Sequence, residues 1–257
     1  MKIIDTTTYF EEKLMMDIRF NILDKFVDHF IVCESRFSHS GIEKEINFDK
    51  KDYPLFEDRI SHLILENEPE NIVKDLKNDY DARLNSIKRI SAQRNYIQKN
   101  LANFSDNDYV IYSDNDEIPN LENINFLENS RKIIIFKQKL FYYKFNLSLP
   151  SVPWFGSKAC KKKDLKSIDW LRNIKNKAYN PLRMDLLYSK TKYSSVEIVN
   201  DGGWHFSNLK TIKELEKKYL NDENHSEYEK LNNLIETIKH SLTNKVVNYN
   251  HNAKKSS

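Results

Sequence analysis

The chain has 257 residues, 39% of them hydrophobic, which is enough apolar material for one sizeable core. Nowhere does it approach the roughly 18 uninterrupted apolar residues that an integral membrane segment needs. With 41 basic and 38 acidic residues the net charge is only +3, so nothing calls for a nucleic-acid partner. Cys33 and Cys160 are too few and too far apart for a disulfide framework or a cysteine-type zinc site. Met1–Asp5 lacks the features of a signal peptide. A cytoplasmic protein is the default expectation, with peripheral attachment to the inner membrane face left open. Four glycines supply neither a G-x-G-x-x-G fingerprint nor a Walker loop, so any phosphates must be held in another way.

Taken in order, Phe10, Leu14, Ile18, Ile22 and Phe26 recur every fourth residue and predict an amphipathic helix within 9–26. His29–Ser35 is an apolar run with a polar end, as in a buried parallel strand. Residues 36–58 read as a loop, Arg59–Leu65 as a strand and Leu84–Leu101 as a helix. Asp108–Ser113 is a further buried strand that runs into Asp114-Asn115-Asp116-Glu117-Ile118-Pro119. Pro119 suggests a short helix after it. Lys132–Phe145 is strand-like, and the basic run Lys158–Lys166 reads as a solvated loop before a helix near Asp164–Ile174. Ser195–Val199 is a short strand, Thr211–Val247 reads as two polar helices, and 248–257 as a disordered tail. The alternation predicts a single α/β domain over 1–247 with a mostly parallel central sheet.

Ligands of open α/β sheets gather at the carboxyl ends of strands. Asp114, Asp116 and Glu117 stand at such an end. Three carboxylates within four residues repel one another unless a cation or water neutralises them. Hard oxygen ligands of this kind suit Mg²⁺ or Mn²⁺, which commonly join carboxylates to substrate phosphates. An acidic surface turn capping a helix explains the same residues without function. An aspartyl nucleophile at Asp114, as in a phosphohydrolase, is a chemical competitor.

A second cluster is Asp201-Gly202-Gly203-Trp204-His205-Phe206. Its glycine pair permits close backbone approach. Trp204 offers a flat face on which a sugar can stack, His205 a third metal ligand, and Asp201 a base for an acceptor hydroxyl.

In order, Asp17-Ile18-Arg19-Phe20, Phe30–Ser35, Gln93-Arg94-Asn95, Ile111–Pro119 and Gly202–Ser207 resemble glycosyltransferase family 17, the beta-1,4-mannosyl-glycoprotein beta-1,4-N-acetylglucosaminyltransferase family. The resemblance spans about 9–230. It implies a Rossmann-like GT-A type nucleotide-sugar-binding domain, an inverting transfer, a divalent cation, and UDP-N-acetylglucosamine as donor to a glycan hydroxyl. Carried over, it implies Asp114 and Asp116 as the Asp-x-Asp pair at ribose and metal. It sets Arg94 near the diphosphate or the acidic pair and Glu34 in the nucleotide pocket, and it matches Trp154 and Arg172 to family positions. Asp201 is then the first choice of base and Glu117 the second. The chain departs from the family at Asn115, where a small aliphatic residue is usual. It departs again at Ile87–Ala92, where a Trp-Glu stretch is usual. These departures leave the acceptor open, with a cell-surface or lipid-linked glycan favoured. A non-catalytic carbohydrate-binding protein is the alternative in which the acidic triplet would be dispensable.

Overall fold

The computed structural model describes residues 1–247, so the tail expected at 248–257 lies outside the described residues. Nine strands form one sheet: β1 (Ile3–Tyr9), β2 (His29–Ser35), β3 (Ile60–Leu65), β4 (Tyr109–Ser113), β5 (Glu117–Pro119), β6 (Ile133–Tyr142), β7 (Trp154–Lys161), β8 (Val196–Val199) and β9 (Gly203–Ser207). Their order is β3-β2-β1-β4-β7-β6-β9-β5, with β8 on β6. The β1–β2, β1–β4, β2–β3, β6–β8 and β6–β9 pairs are parallel, so the sheet is mostly parallel and Rossmann-like. The helices are α1 (Lys13–Leu23), α2 (Asp79–Tyr96), α3 (Gln98–Leu101), α4 (Ile168–Arg172), α5 (Ile212–Asn221), α6 (His225–Glu229) and α7 (Leu234–Thr243). None of the described helices is long and apolar enough to cross a membrane.

The alternation of side chains along a strand divides the core in two. Phe30 and Val32 of β2 and Tyr109 and Ile111 of β4 join Phe20 of α1 on one face. Ile31, Cys33, Val110 and Tyr112 point the other way, onto Ile97, Ile168 and Leu171. The loop at 36–58 contains only two single-turn 3₁₀ helices, yet its Phe48, Tyr53 and Phe56 are buried against Phe20. Aromatic side chains there do the covering that a helix does on the opposite face.

Four expectations are corrected. The first strand is β1, and no apolar run marks it, because Asp5, Thr6 and Thr7 are buried at its centre. Asp5 is neutralised by Arg19, and the Thr6 hydroxyl donates to the Ile111 carbonyl at 2.8 Å. Glu117–Pro119, expected only as the end of the preceding strand's acidic turn, is itself a strand paired antiparallel with β9, and the short helix expected after Pro119 is a 3₁₀ turn at Leu121–Asn123. The stretch opening the basic run is β7, whose Lys158 is buried, with its ammonium donating to the Arg172 and Ile174 carbonyls. The C-terminal segment holds three helices, α5 to α7, packed on Tyr142 and Tyr143 through Leu215, Leu234 and Ile238.

Candidate active site

The carboxyl ends of the parallel strands β1, β2 and β4 open onto a cavity of about 360 Å³. One wall is Thr8–Phe10, Ser35, Lys44 and Gln93; the floor is Asp114–Glu117 with Arg94 and Arg172; Trp154, His205 and Lys218 close the far side. Of the predicted residues, the structure gathers Arg94, Asp114, Asp116, Glu117, Trp154, Arg172 and His205 here.

The Gln93-Arg94-Asn95 segment of α2 works residue by residue. The Gln93 amide donates to the carbonyls of Cys33 and Tyr9, which ties the ends of β2 and β1 together. Arg94 donates to Asp114, Asp169 and the Tyr112 hydroxyl at 3.0–3.2 Å. The Asn95 side chain accepts from the Asp169 backbone at 3.0 Å and so fixes α4. At the end of α4, Arg172 binds Asp114 Oδ2 through Nε at 3.0 Å and Nη2 at 2.7 Å. Tyr112 donates to the other Asp114 oxygen at 2.7 Å.

The three acidic residues therefore differ. Burial would raise Asp114, but Arg172 and Arg94 hold it far below the usual carboxylate range. Glu117 is raised, chiefly by burial and then by the Asp114 and Asp116 charges, against the pull of Arg172. It accepts from Trp154 Nε1 at 2.7 Å, Arg172 at 3.0 Å and the Asp114 backbone at 3.1 Å. Gly156 makes this possible, because a β-carbon there would stand 2.3 Å from the Glu117 carboxyl carbon. Asp116 is lowered: burial opposes ionisation, and His205 and Lys218 outweigh it. Its Oδ2 lies 3.4 Å from His205 Nε2, and its other oxygen has no hydrogen-bond partner among the described residues.

Gly203, at φ 117°, lets β9 pass close to β5; a β-carbon there would lie 2.1 Å from the Ile118 carbonyl oxygen. That approach sets His205 beside Asp116 and 4.2 Å from the Trp154 ring.

Three predicted residues lie elsewhere. Asp201 occupies a turn at φ 47°, is 70% exposed, pairs with Lys139 at 3.2 Å and does not line the cavity. Trp204 follows the two-residue period of β9 away from His205 and packs near Met15, Ile118 and Phe206. Glu34 is buried below the cavity. It accepts from the backbones of Asn47 and Phe48 at 2.9 Å and from Lys44, thereby holding the loop that carries Lys44 into the cavity. His225 is buried and structural, its Nδ1 lying 3.1 Å from the Asp222 carbonyl oxygen.

Sequence reasoning missed Glu12, Lys44 and Lys218. Glu12 sits at the start of α1, where its carboxylate accepts from the Phe10 and Glu11 backbones and from Asn115. Together with Asp116 and Lys218 it also lines a second groove of about 700 Å³, bordered by Tyr143, Phe145 and Phe206. No short motif marks these residues, which come from three separate segments, Lys218 lying more than 100 positions beyond the other two.

The residues fit a divalent cation in a narrower way than the sequence predicts. Both Asp114 oxygens already accept from arginine and tyrosine donors, which leaves Asp116 as the less engaged of the predicted Asp-x-Asp pair. The buried Nδ1 of His205 has no hydrogen-bond partner among the described residues, while its Nε2 faces Asp116. Among the described residues no three His, Cys, Asp or Glu side chains converge on a metal position. Within the acidic turn, Asp116 is the carboxylate that keeps an open oxygen, and one carboxylate completed by substrate phosphates and water is a common way to hold Mg²⁺ or Mn²⁺.

The α/β sheet thus presents an arginine-braced acidic turn to a cavity at its strand ends, where ligands of open α/β sheets bind. The profile of glycosyltransferase family 17 matches residues 1–240, and the chain belongs to that family and is a glycosyltransferase. No curated protein sequence matches it. Among solved structures it is similar to the crystal structure of HddC from Yersinia pseudotuberculosis, at 13% identity and a TM-score of 0.36. That match covers 79% of this chain and 92% of the other, and a likeness so distant carries no weight for function.

Proposed function

We propose that the chain transfers a sugar, N-acetylglucosamine from UDP-N-acetylglucosamine, to a glycan hydroxyl with inversion. The observation that carries this reading is the open Asp116 oxygen facing a cavity that also holds Arg94, Arg172 and Lys44. Thr8–Phe10 and Ser35 would receive the nucleoside, and Lys44 and Lys218 the diphosphate. Asp116 would hold Mn²⁺ or Mg²⁺, which supplies charge neutralisation as the diphosphate leaves. Asp114 locks the two arginines in place, and His205 orients Asp116.

The groove beyond Asp116 would take the acceptor, with Phe145 and Phe206 as its apolar wall. Glu12 and Asp116 are the carboxylates that line both cavities. With Asp116 assigned to the cation, Glu12 is left as the base that removes the acceptor proton while the hydroxyl attacks the anomeric carbon. The bond to the leaving diphosphate breaks in the same step, through an oxocarbenium-like transition state. Glu117 lines only the first cavity and Asp201 lines neither, so neither is placed between donor and acceptor to fill this role.

The test is a thermal-shift screen with UDP, GDP, CMP and dTDP sugars, with and without Mn²⁺. A ligand at a hundredfold excess over its dissociation constant stabilises the fold by about 2.7 kcal/mol. A shift given by a UDP-sugar only with metal, and lost in Asp116→Ala, supports the reading. No shift with any nucleotide sugar would overturn it, and a shift without metal would remove the cation from it. Glu12→Gln should keep the shift and lose transfer.

A further inference from the structure

Residues 175–193, between α4 and β8, take no part in the cavity or the groove. Their ends are tied together: the Lys175 backbone donates to the Thr191 carbonyl at 2.9 Å and that of Tyr179 to the Tyr193 carbonyl at 3.0 Å. From this closed base the chain projects Leu182, Met184, Leu187 and Tyr188, which are 88%, 76%, 79% and 86% exposed. Single exposed apolar residues are ordinary on protein surfaces. Four large ones within seven positions, all nearly bare of protein contact, form a patch that the fold itself does not explain.

The charge around that patch is one-sided. Lys175, Lys177, Arg183, Lys190 and Lys192 face a single acid, Asp185, a net +4 that exceeds the +3 of the whole chain. Asp185 binds Arg183 at 2.9 Å and Lys192 at 2.7 Å. The cationic groups of Lys177, Arg183 and Lys192 stand 4.9, 5.5 and 5.7 Å from the centre of the Tyr179 ring. The cations are thus gathered into a collar around Tyr179, next to the apolar tip, rather than scattered.

We propose that residues 175–193 dock the protein on an anionic lipid surface. Leu182, Met184, Leu187 and Tyr188 enter the headgroup boundary while the collar lies at the level of the lipid phosphates. Stable attachment without a spanning helix takes two signals, and an apolar insertion joined to a basic cluster provides both. Arg172, which lines the cavity, ends α4 three residues before the segment, so docking would hold the cavity close to the bilayer. Charge complementarity selects the occupant, and the inference does not depend on which sugar is transferred.

The test is co-sedimentation of the full chain with vesicles of phosphatidylcholine alone or mixed with phosphatidylglycerol. Binding is expected to the mixed vesicles only and to weaken as salt is raised. It should be lost in Leu187→Ser/Tyr188→Ser and reduced in Lys177→Glu/Lys190→Glu. Both variants should unfold at the wild-type temperature, because these side chains are exposed. The proposal is overturned if the mixed vesicles do not bind, if neutral vesicles bind equally, or if the serine variant binds undiminished. It is equally overturned if the wild type sediments as a dimer that the serine variant dissociates, since a second copy would then be the occupant.

Discussion

Arg172 grips Asp114 through two nitrogens, at 2.7 and 3.0 Å, and with one of them also reaches Glu117 at 3.0 Å. One cation from α4 thus holds two members of the acidic turn together. Removing it by Arg172→Met leaves two partly or fully buried carboxylates facing each other. The expected cost is on the order of 3 kcal/mol, measured by urea unfolding. Transfer should fall about a hundredfold, since the turn is no longer positioned. An unchanged unfolding midpoint would show that the pair does not brace the site.

A second buried ion pair predicts a separable effect. Arg19 and Asp5 meet twice at 2.6 Å with both side chains almost completely buried, and Arg19 also donates to the Glu117 carbonyl at 2.8 Å. Arg19→Met should destabilise by about 3–5 kcal/mol because it strands the Asp5 charge. Adding Asp5→Leu should recover much of that loss, as measured by chemical denaturation. Full additivity of the two changes would contradict the coupling.

Gly156→Ala tests the close approach beneath the cavity. The added methyl would meet the Glu117 carboxyl carbon at 2.3 Å and the Gln138 amide oxygen at 2.4 Å, so one of them must move. Overpacking of this kind costs about 1–3 kcal/mol. Donor binding, followed by the thermal shift with UDP-sugar and Mn²⁺, should weaken together with stability. Retention of both would mean that the Glu117–Trp154 bond is dispensable.

Lys158 gives the pH dependence. Burial, with Arg172 adding to it, lowers its ammonium to about 7, while in the unfolded chain it titrates near its ordinary value. Between those values the unfolded state binds the extra proton, so this group makes stability rise with pH from about 7 toward the ordinary lysine value and contributes no further change below about 7, where both states are protonated. The slope from this one group approaches about 1.4 kcal/mol per pH unit at most. Lys158→Met should flatten the unfolding free energy across that window in pH-stepped denaturation. An unchanged slope would assign the dependence to other groups.

The elements readable from sequence were those whose pattern is local. β2 and β4 are short apolar runs, and the four-residue period located α1 but not its buried face, which is Met15, Met16, Arg19, Phe20 and Leu23, while Leu14 of the expected stripe is 52% exposed. β1 and β7 escaped because buried charges interrupt them. Asp5 and Lys158 look like surface residues until Arg19 and the α4 carbonyls are brought against them. In the site, the acidic turn was legible as adjacent residues, whereas the division of labour within it was not. Asp114 is occupied by Arg94 and Arg172, 20 and 58 positions away, and only that separates it from Asp116.

By itself the sequence determined the family, the mostly parallel sheet and the place of the acidic turn at a strand end, since these depend on order and local periodicity. Tertiary structure alone decided which carboxylate stays open, which face of β9 carries His205 and which carries Trp204, and that Asp201 stands outside the cavity. Those outcomes depend on distances between segments far apart in the chain. Charge is neutralised across space, and a spacing pattern records only distance along the chain.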